Sequence, residues 1–492
     1  MGFKKQQCQD HTATTSQEKI LFLTVPLTVA KSPMMAGAVL KPIAEKLGYK
    51  LTVIDFNQVT LQWLKSLPVT VELADYFWSQ APDPQTMLTR QCKPYVTEWI
   101  NKLSHLMTDH APSILALSLL TDSSRTAANL IIPHVRRYFP QVKIILGGSG
   151  ISNDGYALFL KQDNMIDHYI IGDAEYSFQE FLQNNLTFPG INSDNWQLLT
   201  NNNQEMLPDP DYSDYDWSLY SRRTIGITGS RGCVRKCTFC DYIVTHPKFT
   251  WRSGQNIFDE MVRQQAATGI SSFEFSDSLL NGNMQAFREL ITLLADYNQQ
   301  NPHNKIDYQA YFILRTKEQF KEELWRLTAA GGGKVLIVGI ETFSDDVRAD
   351  LGKKFTNNDI DFAIAMAMKY NIHLQILTFV GYITETEKHI DNAIAWLDQH
   401  QYARSHMTIV IGTPMAILKN SWIDQNIDQL GIKFENNDRQ LWYNKQSSFE
   451  QRSAWHQRIL DHVKKLKYKY ISDSTYHWLL ANDLDGVVDS EY

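Results

Sequence analysis

Cysteine is scarce in this chain: 492 residues contain only five, Cys8, Cys92, Cys233, Cys237 and Cys240. So few in so long a chain exclude a disulfide-stapled framework. No apolar run approaches the 18 or so residues that a membrane span needs. The opening stretch, MGFKKQQCQDHTATTSQ, lacks the apolar segment of a secretory leader, and Gln6 stands where a myristoylation signal needs Ser or Thr. The expected location is therefore the cytoplasm. Neither sign of charge is in large excess, with 47 Lys+Arg against 54 Asp+Glu and a net charge of -7. That balance disfavours a general nucleic-acid binder and leaves room only for a local basic patch. Internal repeats and low-complexity tracts are absent. The hydrophobic share of 43% and charged share of 21% exclude disorder, collagen and coiled coil as the overall class.

What is present is an α/β pattern, written twice. After a polar tail at 1–18, short apolar runs at 20–25, 51–56, 114–120, 143–148 and 168–172 alternate with amphipathic stretches such as 125–138 and 177–184. Apolar strands each followed by a helix predict a doubly wound, flavodoxin-like parallel sheet over 19–184. Ligands of such sheets sit at the C-terminal strand ends, where Gly147, Gly148 and Gly172 fall. The same glycines also suit plain strand-to-helix turns. Residues 185–221, rich in Asn, Asp and Pro, read as a linker, with a small hairpin at WQLL-TNNNQ-EML.

The second series runs from 222 to 415. Strands are expected at 224–229, 271–277, 306–314, 334–341, 373–381 and 406–412, with helices at 257–267, 284–298, 317–329, 359–370 and 385–400. Six βα units predict a partial (β/α)6 parallel barrel whose loops at the C-terminal strand ends carry the chemistry. Gly331 to Gly333 follow a helix and precede a strand, the reverse of a phosphate loop, and read as a helix cap and turn. Residues 416–492 read as a mostly helical C-terminal region with a helix at 449–467 and several tryptophans. Its run KKLKYKY at 464–470 reads as a solvated helix face with tyrosines packed on the body.

Three of the five cysteines fall within eight residues, in Gly229-Ser230-Arg231-Gly232-Cys233-Val234-Arg235-Lys236-Cys237-Thr238-Phe239-Cys240-Asp241. The spacing, C-x3-C-x2-C, follows the first barrel strand directly. Three thiolates so spaced can converge on one metal centre, and thiolates suit zinc and iron–sulfur clusters. Three ligands on a four-iron cubane leave one iron open to a small molecule. The competing arrangement is a zinc site in which His246 supplies a fourth ligand.

GCVRKCTFC, with its aromatic residue before the last cysteine, resembles the signature of radical S-adenosylmethionine (SAM) enzymes. The N-terminal series resembles the cobalamin-binding domain found in front of such barrels, so that the resemblance covers roughly residues 19–415. It implies that Cys233, Cys237 and Cys240 hold a [4Fe-4S] cluster whose open iron binds SAM. One electron from the cluster then cleaves SAM to methionine and a 5′-deoxyadenosyl radical. By the same resemblance Phe239 lies near the adenine and Asp277 meets the SAM amino group. Arg315 ends the third strand, and Glu341 is a candidate for ribose or substrate contact with Lys353 nearby. Gly381 belongs to TFVGYITETE, the fifth-strand motif, where Tyr382-Ile383-Thr384 replaces the family's proline–glycine turn. A ligand with a carboxylate, an ammonium and a sulfonium needs acids and cations of this kind around it.

In the related cobalamin domains, positions matching Ser118, Leu120, Gly147 and Gly148 surround the nucleotide tail, and the turn at Gly172 to Glu175 also matches. The Asp-x-His-x-x-Gly motif that gives cobalt a histidine is missing. Two alternatives follow: cobalamin held without a protein histidine, or a domain that has kept its fold and lost the cofactor. The implied activity is radical SAM chemistry with a [4Fe-4S] cluster, SAM and cobalamin, transferring a methyl group to an unactivated carbon. The implied partners are a small-molecule substrate and a reductant such as flavodoxin or ferredoxin. Rearrangement or oxidation without cobalamin is the alternative reaction, and a zinc-stabilised binding protein the alternative class.

Overall fold

The computed structural model of the chain describes residues 17–26, 31–68, 72–73, 76–77, 90–151, 155–193 and 200–472. Most of the polar tail, Cys8, the first strand of the expected hairpin and the last tryptophan lie outside these residues.

The first sheet comprises β1 (Lys19–Thr24), β2 (Lys50–Ile54), β3 (Ile114–Ser118), β4 (Lys143–Gly147) and β5 (His168–Tyr169). All pairings are parallel, in the order β2-β1-β3-β4-β5. This is the flavodoxin-like order expected from the sequence. Its strands are apolar throughout because both faces are covered. Ile20, Phe22, Val53, Ile114 and Ala116 feed one core, while Leu21, Leu23, Leu115, Leu117, Ile144 and Leu146 feed the other. The helix Met35–Lys46 covers the first face, and Lys93–His110 and Ser124–Tyr138 cover the second.

The second sheet begins with β6 (Ile225–Ile227), after which β7 (Ser230–Arg231) and β8 (Thr250–Trp251) form a short antiparallel pair. It continues through β9 (Ser272–Phe275), β10 (Asp307–Phe312), β11 (Gly333–Glu341), β12 (His373–Val380) and β13 (Met407–Pro414). All six expected strands form, joined in parallel in chain order from β6 to β13. Strand alternation sorts the side chains. Phe273, Phe275, Tyr308, Ala310, Leu336 and Val338 pack outward on the helices, whereas Glu274, Gln309, Gln375 and Thr408 face the lumen.

Two features depart from the sequence pattern. After the short antiparallel pair β14 (Lys433–Phe434) and β15 (Trp442–Tyr443), and the helix Phe449–Lys465, a seventh parallel strand β16 (Lys469–Ser472) joins the edge of β13. The run KKLKYKY therefore ends a helix and begins a strand. Four residues are too few to carry a strand period, and the lysines mask it. The other departure is at 200–205. Helix Asn201–Glu205 stands there, capped by the Thr200 side chain, where the turn of a hairpin was expected. Thr and Asn side chains compete for backbone donors and so start helices more readily than strands.

The linker is built into the body. Tyr212 OH donates to Gly226 O at 2.8 Å, Tyr215 OH to Met34 O at 2.6 Å, and Tyr220 OH to the Asp55 carboxylate at 2.6 Å. These three buried tyrosines join the first sheet's helix face to β6, so the two sheets share one continuous core.

Candidate active site

The cysteine loop leaves β6 at the C-terminal mouth of the barrel. Its entry is fixed from β9. Asp277 is 2% exposed; its Oδ1 accepts from Gly229 N at 2.7 Å, and Ser230 Oγ lies 2.9 Å from Oδ2. Burial raises the Asp277 pKa to about 7, with the two hydrogen bonds acting the other way. Gly232 follows at φ +79°, where a Cβ would lie 2.3 Å from Lys248 O, so only glycine fits. The far side of the loop rests on residues after β11 and β12. Thr238 N donates to Leu351 O at 3.2 Å, Thr238 Oγ1 lies 2.8 Å from Tyr382 OH, and Phe239 meets the Phe379 ring edge-on at 5.1 Å. Tyr382 thus fills the place of the absent proline–glycine turn as a post for the loop.

Cys233, Cys237 and Cys240 all carry free thiols; Cys237 is buried and the others half-buried. Burial pushes all three thiols up, Cys240 to about 11, so the thiolate form needs a bound metal to sustain it. Lys353 and Arg235 pull Cys233 and Cys237 the other way. Lys353 Nζ donates to Glu341 Oε1 at 2.9 Å and to Gly339 O at 3.0 Å. Burial works against the Lys353 charge, but Glu341 and the two thiols more than offset it and raise the pKa. Glu341 holds φ +65° at a bulge in β11, a strained geometry for a residue with a side chain. The structure therefore brings Cys233, Cys237, Glu341 and Lys353 into one half-buried group.

Among the described residues no three His, Cys, Asp or Glu side chains close on a single-ion position. His246 does not supply a fourth ligand. Its Nδ1 lies 3.1 Å from Thr245 Oγ1, its Nε2 lies 3.6 Å from an Asp173 oxygen, and its ring stacks on Tyr242. Three thiols with no fourth protein donor among the described residues suit a cubane with an open corner better than a closed zinc site.

Other expected site residues serve the scaffold in this structure. Both Asp277 oxygens are taken up by the loop. Arg315 Nη2 donates to Asn281 O at 2.8 Å and Gly282 O at 3.1 Å, while its buried Nε has no partner. Gly381 has φ +90°, and a Cβ there would lie 2.0 Å from Arg452 Cδ. Arg452 is fully buried, 3.7 Å above the Trp442 ring, so the C-terminal region packs directly on the end of β12.

In the N-terminal sheet, Gly148 lets two loops touch, since a Cβ there would lie 2.2 Å from Leu119 O. Ser118 and Gly147 pair with each other at the ends of β3 and β4. Glu175 and Asp173 both bind the Arg231 guanidinium, which projects from the start of the cysteine loop. Burial acts against the charge of Arg231, and the two carboxylates more than offset it. Sequence reasoning missed Arg231, because nothing in its neighbourhood marks a partner some 56 residues upstream.

Between the sheets lies a cavity of about 620 Å³. Met34, Met35, Val39 and Leu120 supply apolar surface, Gly172, Asp173 and Glu175 the edge of the first sheet, and Thr228, Arg231 and Ser276 the barrel mouth. Among the described residues its lining contains no histidine. His168 lies elsewhere, 2.9 Å from Asn192 and against Phe181.

Residues 227–397 match the radical SAM superfamily family model. A Pyrococcus horikoshii protein named as an uncharacterized methyltransferase is 22% identical over 321 residues, covering 62% of this chain and 68% of its own length. The structure is similar to that of TsrM, a radical SAM methyltransferase from Kitasatospora setae solved with cobalamin and a [4Fe-4S] cluster bound. The TM-score is 0.61 at 14% identity, over 96% of this chain and 90% of that one. It is also similar to OxsB, a cobalamin-dependent SAM radical enzyme solved with aqua-cobalamin bound, at a TM-score of 0.57 and 17% identity, over 84% of this chain and 55% of that one.

Proposed function

We propose that this chain, whose residues 227–397 form a radical SAM domain, is a radical SAM methyltransferase that uses a [4Fe-4S] cluster and cobalamin. The observation that carries the reading is the group of three free thiols on one braced loop at the barrel mouth, a loop whose Arg231 also lines the cavity between the two sheets. Cys233, Cys237 and Cys240 would hold the cluster. When bound, the cluster supplies an electron for reductive cleavage of SAM, and cobalamin supplies a carrier for its methyl group.

The chain's own residues do the positioning. Asp277 and Ser230 fix the entry of the loop, and Thr238 and Tyr382 fix its exit. Lys353 places a cation beside two thiolates and so offsets part of the negative charge they bring together. Phe239 presents a ring next to the loop for the adenine. A corrinoid face meeting this cavity would have cobalt without a protein histidine, because none lines it among the described residues. Leu120, Gly172 and Glu175 line that cavity, whereas Ser118, Gly147 and Gly148 do not. The substrate is a small molecule, a flavodoxin or ferredoxin would deliver the electron, and the setting is the cytoplasm.

The test is anaerobic incubation with dithionite, hydroxocobalamin and SAM carrying a labelled methyl group. The reading expects the label to pass to the bound corrinoid, with a matching change in its visible spectrum. Formation of 5′-deoxyadenosine with no corrinoid uptake would replace it with radical chemistry that does not use cobalamin.

A further inference from the structure

The lumen of the barrel holds a second cavity of about 240 Å³, below the mouth. Its apolar and aromatic surface comes from Tyr311, Val335, Ile337, Tyr470 and Ile471. Its charged lining is unbalanced: Lys31, Arg222 and Lys469 face it, with Glu274 the one carboxylate. This excess of positive charge sits inside a chain whose net charge is -7.

Lys31, Arg222, Glu274 and Gln309 line this cavity and the larger one as well, so they mark the boundary between the two. Lys31 and Arg222 are held side by side: Arg222 N donates to Lys31 O at 2.9 Å. Among the described residues neither makes an ion pair, and the one side-chain bond of Arg222 is a long one to Gln309 Oε1 at 3.4 Å. Burial and the neighbouring Arg222 lower the Lys31 pKa, and Glu274 only partly opposes them. Two adjacent cations in a half-buried cavity, sharing the one carboxylate of Glu274, are stabilised by a further anion from outside.

We infer that the boundary of the barrel lumen is a binding site for a small anionic molecule, its carboxylate or phosphate held between Lys31 and Arg222 and its apolar body in the lumen. The volume limits the body. A cavity of about 150 Å³ holds a benzene ring, so 240 Å³ suits a single ring or a short chain and not a nucleotide. That this molecule is the substrate rests on the proposed methyl-transfer reading; that it binds does not.

Equilibrium dialysis of the full chain, as isolated and after anaerobic reconstitution, tests the site with 3-phenylpropionate, phenyl phosphate and 3-phenylpropanol. At least one of the two anions should bind about tenfold or more tightly than the neutral alcohol, and the better anion identifies the head group. Arg222→Gln and Lys31→Gln should each weaken anion binding several-fold and leave the alcohol unchanged. Glu274→Gln removes the one carboxylate and should tighten anion binding, a gain that misfolding cannot imitate. The inference is overturned if neither anion binds better than the alcohol, or if the Lys31 and Arg222 variants bind anion as the parent does. Because the chain as isolated suffices, failure here is separate from failure to find a cluster or SAM cleavage.

Discussion

Replacing Arg231 by Ala should loosen the grip of the first sheet on the cysteine loop, at a cost set by what it leaves behind. The side chains of Asp173 and Glu175 are 5% and 6% exposed, and the Arg231 guanidinium binds both. Breaking a buried ion pair by removing one partner costs about 3–5 kcal/mol, because the remaining charge stays desolvated. Arg231 itself is 20% exposed, so water can fill part of the space it leaves; the expected loss is at the lower end, about 3 kcal/mol. Urea unfolding followed by tryptophan fluorescence at pH 7.5 measures the loss. Adding Asp173→Asn and Glu175→Gln to the Ala variant should recover most of the neutral-pH loss. A deficit below about 1 kcal/mol at pH 7.5 would refute the reasoning.

Other perturbations follow from the same geometry. Gly381→Ala forces a side chain into left-handed backbone and into Arg452, so it should lower stability by more than about 2 kcal/mol, measured as a fall in the thermal midpoint. Asp277 has a folded pKa of about 7, above its unfolded value near 4, so it makes the parent lose stability as pH rises through that window. Asp277→Asn should flatten that part of the stability–pH curve; an unchanged slope would mean that the carboxyl titrates normally. Tyr382→Phe removes the hydroxyl that meets Thr238 and Asp350 O, and should cost about 1 kcal/mol and speed loss of iron to a chelator. Retention of iron at the parent rate would show that Tyr382 does not brace the loop.

Both sheets were legible in the sequence because their strands are apolar on one face or both, and the intervening helices carry a clear 3.6-residue period. The strand β16 was not legible: it is four residues long and its register comes from pairing with β13 rather than from its own pattern. The cysteines stood out by spacing alone. Their supports did not, because Arg231 and Tyr382 act through partners 56 and 32 residues away in the chain, and Arg452 through the Trp442 carbonyl 10 residues before it, and no local pattern marks such contacts. Lys31 and Arg222 are of the same kind, since only the fold sets a residue after β1 beside one before β6. Asp277 was found for the right segment, yet its carboxylate holds Gly229 and Ser230 in this structure. A buried acid near a loop serves equally as ligand contact or loop anchor until coordinates separate the two.

The central claim is that Cys233, Cys237 and Cys240 grip three irons of a cubane and leave the fourth for SAM. Its most direct measurement is electron paramagnetic resonance of the dithionite-reduced, anaerobically reconstituted chain before and after SAM, with iron counted in parallel. The account predicts about four irons per chain, a reduced-cluster signal that changes when SAM is added, and loss of both in Cys237→Ala. Stoichiometric zinc without iron, or a cluster signal that SAM leaves untouched, would contradict it.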